Sequence, residues 1–140
     1  MPLFPSAEWV TDYKNVLNAS ATYKQAGAGW THGPIALVTR ADPGIGIPDD
    51  VGIWLDLHQG TCREARMVNR AEAEKAPFCI TGEYARWKQV MRKQLDPIQG
   101  MMQKKLELKG QMTIIVKYVA AAKALVEAAT QVETKFMDEK

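Results

Sequence analysis

Serine, histidine and cysteine are scarce in this chain of 140 residues, and each shortage removes a class of chemistry. Ser6 and Ser20 are the only serines, and neither stands in a nucleophile-elbow pattern. His32 and His58 with Cys62 and Cys79 form no CxxC or HxxxH spacing, so no metal site is predicted. Two cysteines are too few for a disulfide framework and read as free thiols suited to a reducing cytoplasm. Gly44-Ile45-Gly46 lacks the last glycine and the following helix of a dinucleotide fingerprint. Charge of one sign is also lacking: the net is +2, which predicts no nucleic-acid partner. No uninterrupted apolar run approaches about 18 residues, so nothing is predicted to span a membrane. The start, Met1-Pro2-Leu3-Phe4-Pro5, does not read as a secretory signal, and Met137-Asp138-Glu139-Lys140 carries no Ser-Lys-Leu-like address.

What is present fits one α+β domain over residues 1–140, with 1–29 as an N-terminal helix and glycine-rich connection and 30–136 as the main body. Residues 6–24 read as one helix capped by Ser6, with Trp9, Tyr13 and Val16 on a stripe widened by Val10 and Leu17. Ile35–Arg40 is a run of strand length. Val51, Ile53, Leu55 and Leu57 alternate with Gly52, Trp54, Asp56 and His58, the period of a half-buried strand. Gln59-Gly60 predicts a hairpin turn, Thr61–Val68 the returning strand, and 77–81 another. Trp54 falls on the face opposite Val51, Ile53 and Leu55, so the N-terminal helix is expected to cover it through Trp9 and Tyr13.

The last third is the richest in apolar helical faces. Tyr84, Trp87, Met91 and Leu95 share one stripe. Asp96-Pro97 predicts a helix restart, with Asp as cap and Pro at the first helical position, followed by Ile98, Met101 and Met102. Lys105–Lys109 alternates charge with leucine, as a strand with one dry face does. From about 111 to 136, Met112, Ile115 and Val119 open a row stepping by three and four, which predicts one helix roughly 39 Å long. Such a rod exceeds what one face of a small sheet needs, so the surplus apolar surface is expected to line a cavity.

These residues, in this order, resemble the sterol carrier protein 2 family of lipid-binding domains. The resemblance rests on Gly82, Tyr84 and Trp87, on Asp96-Pro97, on Met101-Met102, and on Lys105-Leu106-Glu107-Leu108-Lys109-Gly110 followed by Met112. It spans about residues 30 to 130. It implies a five-stranded, mostly antiparallel sheet with helices covering one face, and an apolar tunnel between the two. It also implies no catalytic residues and no cofactor. Family members often carry glycine where this chain has Lys93-Gln94 and Lys104, departures expected to add bulk near the tunnel.

The expected ligand contacts are Tyr84, Trp87, Met91, Leu95, Ile98, Met101, Met102, Met112, Ile115 and Val119, with methionines supplying adaptable surface. Seven basic residues stand against two acidic ones between 86 and 109, and Arg92, Lys93 and Lys104 are the expected headgroup or anion contacts. The reading is of a non-catalytic carrier of fatty acid, acyl-CoA or sterol-like lipid. It is expected to be a monomer or weak dimer and to touch membrane surfaces transiently. The rival readings are a small α+β enzyme using Asp56, His58 and Glu64, or an accessory subunit acting on an apolar substrate. A third is a module that dimerises through the long helix.

Overall fold

The computed structural model describes residues 1–139; Lys140, the last residue of the stretch read above as carrying no targeting address, lies outside them. Its centre is a five-stranded sheet built from β2 (Ile35–Thr39), β3 (Val51–His58), β4 (Thr61–Asn69), β5 (Phe78–Gly82) and β6 (Glu107–Lys109). The spatial order is β4-β3-β2-β5-β6, antiparallel except where β2 lies parallel to β5. The hairpin forms at Gln59-Gly60, with His58 opposite Thr61. Fold class and sheet thus agree with the reading from sequence.

Most helices cover one face. The segment read as one helix over 6–24 is two, α1 (Ala7–Ala19) and α2 (Ala21–Ala26). The break is chemical: the Ser20 hydroxyl accepts from the Tyr23 amide at 3.0 Å and starts a new helix instead of continuing the old one. Ser6 does the same for α1 through the Trp9 amide. On α1, Trp9, Val10, Tyr13 and Leu17 are buried. Fully burying an aliphatic side chain such as Leu17 contributes about 1.5–3 kcal/mol.

The other face is closed by α3 (Arg70–Ala73) over a small cluster of Ala36, Val38, Val68, Ala73, Ala76 and Cys79, with Trp54 against it. This corrects the expected cover for Trp54. Trp9 and Tyr13 belong to the main core, and the ring of Trp54 is topped instead by the Arg66 guanidinium 5.3 Å from its centroid. Register explains it, since Trp54 faces Arg66 across β3 and β4.

The connection after β5 runs through α4 (Tyr84–Met91) and α5 (Pro97–Met102). Asp96 caps α5 as expected, accepting from the amides of Ile98 and Gln99. Lys93 and Lys104 follow these two helices at positive φ, 59° and 62°. Each sits in the left-handed residue of a Schellman ending: Gln94 N bonds Gln89 O and Lys93 N bonds Val90 O, while Lys105 N bonds Gly100 O and Lys104 N bonds Met101 O. Glycine is favoured there for backbone reasons. Both lysines are exposed, and neither adds bulk to the interior, contrary to expectation. A left-handed L-residue costs about 1–2 kcal/mol, against about 0.5–1 kcal/mol of chain entropy lost with glycine. Lys104→Gly is therefore expected to stabilise the fold by about 0.5 kcal/mol, read as a small rise in the denaturation midpoint. A fall would show that the Lys104 side chain contributes more than its backbone costs.

The C-terminal helical segment is long but shorter and less regular than the single 111–136 rod. It comprises α6 (Met112–Ile115), a 3-10 turn (Val116–Tyr118) and α7 (Val119–Thr130). Beyond it, β7 (Lys135–Phe136) pairs in parallel with β1 (Leu3–Phe4), joining the two ends of the chain. α7 buries Ala121, Ala124, Ala128 and Ala129, while Val119, its first residue, is exposed.

Candidate functional site

Between the sheet and the helices lies an apolar hollow of about 120 Å³. The sheet supplies Ile35, Leu37 and Thr39 from β2, Ile53 and Leu55 from β3, and Ile80 from β5. Period-2 alternation places the three β2 residues on one face. Opposite them stand Trp87, Val90 and Met91 of α4, Pro97 and Met101 of α5, and Ile115 of α6. Ala122, Leu125, Val126 and Ala129 of α7 complete that side. Phe4, Trp9 and Tyr13 close the end nearest the N-terminus. A second hollow of about 40 Å³, walled in part by Tyr23, Trp30, Leu57 and Tyr118, shares Ile35, Ile115, Ala122 and Leu125 with the first. These four shared residues separate the two spaces.

Of the ten expected ligand contacts, Trp87, Met91, Met101 and Ile115 line the larger hollow. The other six do not. Tyr84 sits one turn before Trp87, and its hydroxyl accepts from the Met137 amide at 2.8 Å, tying down the C-terminal segment. Burial pushes its phenol up to about 12. Leu95 and Ile98 are buried in the main core without reaching the space. Leu95 lies near Gly100, as does the fully buried Leu106. Met102 is 68% exposed, since consecutive helical residues lie about 100° apart and Met101 takes the inward position. Met112 packs half-buried on the core, and Val119, at the start of α7, is 40% exposed.

The expected anion contacts are likewise directed elsewhere. Arg92 bonds Glu139 at 2.8 Å and lies 4.9 Å over the Phe136 ring, Lys93 pairs with Glu127, and Lys104 is exposed. None lines the hollow.

Sequence reasoning missed the sheet wall and the N-terminal wall. The alternation of Ile35, Leu37 and Thr39 carried the signal for the first. Nothing local marks Phe4, whose place depends on β1 meeting β7. Tyr13 was visible as an apolar stripe, and its phenol donates to the Leu125 carbonyl at 2.8 Å, joining α1 to α7. Burial holds that phenol protonated well beyond the ordinary tyrosine range.

Asp56 and His58 alternate with the core residues Ile53, Leu55 and Leu57 and so point away from the hollow. The Asp56 carboxylate is taken by Arg63 and that of Glu64 by Arg66. The trio of the rival enzymatic reading therefore does not converge on the hollow. Among the described residues no cluster of histidine, cysteine, aspartate and glutamate could hold a metal, and no helix is long and apolar enough to cross a membrane.

The model of the SCP-2 sterol transfer family matches residues 15–123. A crystal structure of sterol carrier protein 2 is 36% identical, with a TM-score of 0.85, covering 91% of this chain and 98% of that one. The solution structure of a conserved hypothetical protein from Thermus thermophilus is also 36% identical with a TM-score of 0.85, covering 96% and 92%. Sterol carrier protein 2 from Yarrowia lipolytica, in its apo form, shares 15% identity over 89% and 88% at a TM-score of 0.56, a likeness of fold. Comparison with curated proteins finds no match.

Proposed function

The chain belongs to the SCP-2 sterol transfer family, and from that premise we propose that it binds one apolar molecule between sheet and helices and carries it through water unchanged. The observation that carries this reading is the hollow itself, whose walls are almost wholly apolar and come from both layers. Fatty acid, acyl-CoA and sterol-like lipids are the ligand classes it would serve. No catalytic group is assigned, since binding needs none and the Asp56, His58 and Glu64 side chains belong to the opposite face. Two free, buried thiols, Cys62 and Cys79, suit a reducing compartment such as the cytoplasm.

At about 120 Å³ the hollow falls short of the roughly 300–1,000 Å³ typical of ligand pockets. A long chain therefore enters by displacing the partition of Ile35, Ile115, Ala122 and Leu125 and joining the two spaces. The 3-10 turn at Val116–Tyr118 interrupts the helix beside that partition, which favours such an adjustment. Energetics allow it. Burying eight to ten methylenes yields a gross gain of about 6–8 kcal/mol, before the costs of association and of moving the partition. Titration with a fluorescent long-chain fatty acid is expected to show saturable, competable binding in the micromolar range. A linear, non-competable signal would end the carrier reading.

A further inference from the structure

The polar side chains in the wall of the larger hollow carry an inference that rests on the carrier reading and states which ligand chemistry the wall recognises. Trp9, Tyr13, Thr39 and Trp87 bring polar atoms to that wall. Three of them are committed elsewhere. Trp9 Nε1 donates to Thr134 Oγ1 at 2.8 Å, the Tyr13 hydroxyl to the Leu125 carbonyl at 2.8 Å, and Trp87 Nε1 to the Val38 carbonyl at 2.9 Å.

Thr39 differs. It is 3% exposed and lines the hollow, and among the described residues its hydroxyl makes no hydrogen bond. Among the described residues, every polar side-chain atom fully sealed from solvent has a partner. The Thr39 oxygen has none, so it is not sealed, and in a residue this buried its free surface faces the hollow. Leaving a buried hydroxyl unpaired costs about 1–3 kcal/mol, a cost relieved when a ligand supplies the partner. Valine would satisfy the strand and the apolar wall equally well without that cost.

We infer that the Thr39 hydroxyl is the group that reads the polar end of the bound molecule, and that this end is neutral. A hydroxyl both donates and accepts, so an alcohol or a carbonyl fits. Among the described residues no lysine, arginine or histidine lines the hollow, so an ionised carboxylate there would lose its hydration without a counter-charge. The preferred ligand is thus an apolar molecule ending in a neutral hydrogen-bonding group; a fatty acid, whose carboxylate must stay in water, fills the space less favourably and serves as a displaceable probe.

The test displaces a bound fluorescent fatty acid with 1-decanol and with 1-chlorodecane, which has the same chain and a poor acceptor. Thr39→Val is expected to weaken decanol about fivefold and leave chlorodecane within twofold, the size of one neutral hydrogen bond. Thr39→Ser is expected to retain the preference of the parent chain. Thr39→Ala serves as a second hydroxyl-free variant, and a thermal melt confirms that each variant is folded. If the ratio of the two affinities is unmoved by Thr39→Val and Thr39→Ala, the role of Thr39 is overturned while the carrier reading stands. If the fluorescent fatty acid itself does not bind the unsubstituted chain, the carrier reading falls as well; if it binds and decanol does not displace it, only the role of Thr39 falls.

Discussion

Replacing Ala122 with phenylalanine is expected to remove most ligand uptake while leaving the chain folded. Ala122 is half-buried on α7 and lines both hollows, so a ring there fills the space a ligand must occupy. The size is right: an apolar cavity of about 150 Å³ accommodates a benzene, and the larger hollow measures about 120 Å³. Excluding three methylenes of a chain forfeits about 2.4 kcal/mol, on the order of 50-fold in affinity. Overpacking costs about 1–3 kcal/mol, partly offset by burial of the ring. Ala120→Phe is the control, because Ala120 is exposed on the same helix and its substitution leaves the hollow untouched. Fluorescent fatty acid displacement and a thermal melt, run on both variants, separate lost binding from lost folding. Unchanged affinity in Ala122→Phe would place the ligand somewhere other than between sheet and helices.

How far the fold was legible depended on how local its signals are. The Gln59-Gly60 hairpin, the Asp96-Pro97 helix start and the Ser6 cap are each written in a few adjacent residues, and each forms as read. Trp87 and Met91 were identifiable because α4 is regular over their span. Met102 was misplaced by helical phase, since two adjacent methionines cannot both face inward, while Val119 shares the face of Ala122 and Val126 but stands at the exposed start of α7. Lys93 and Lys104 looked like added bulk because a side chain is visible in sequence and a positive φ is not. Phe4 could not be found at all, since its position follows from the pairing of Leu3 with Lys135 across nearly the whole chain. The wall contributed by β2 was available in the alternation of Ile35, Leu37 and Thr39, but a short apolar strand does not announce which of its faces borders a space.

The hairpin tip carries the largest stability effect expected of a single added methyl. Gln59 and Gly60 both have positive φ, 50° and 83°, the combination of a two-residue hairpin turn of the primed type. A left-handed alanine costs about 1–2 kcal/mol by itself. The surroundings add more: a Cβ on Gly60 would come within 2.3 Å of the Lys24 carbonyl oxygen, part of the backbone of α2. A backbone atom cannot rotate aside as a side-chain end can, so α2 must be lifted from the tip. Yet the tip is also held on the next segment, where Gln59 N bonds the Trp30 carbonyl at 2.8 Å, and Tyr23 anchors α2 in the core with 1% of its surface exposed. Strain and displacement together are expected to lower stability by about 4 kcal/mol in Gly60→Ala, a fall of roughly 12 °C in the melting midpoint for a chain of this length. Gly44→Ala provides the comparison, because a Cβ there meets nothing closer than Asp42 Oδ1 at 3.8 Å, and no change beyond about 0.5 kcal/mol is expected. Tyr23 also walls the smaller hollow, so lifting α2 should weaken long ligands more than short ones. Equal stability of the two variants in denaturant melts would mean that α2 does not rest on the hairpin, and the wall that Tyr23 provides would have to be redrawn.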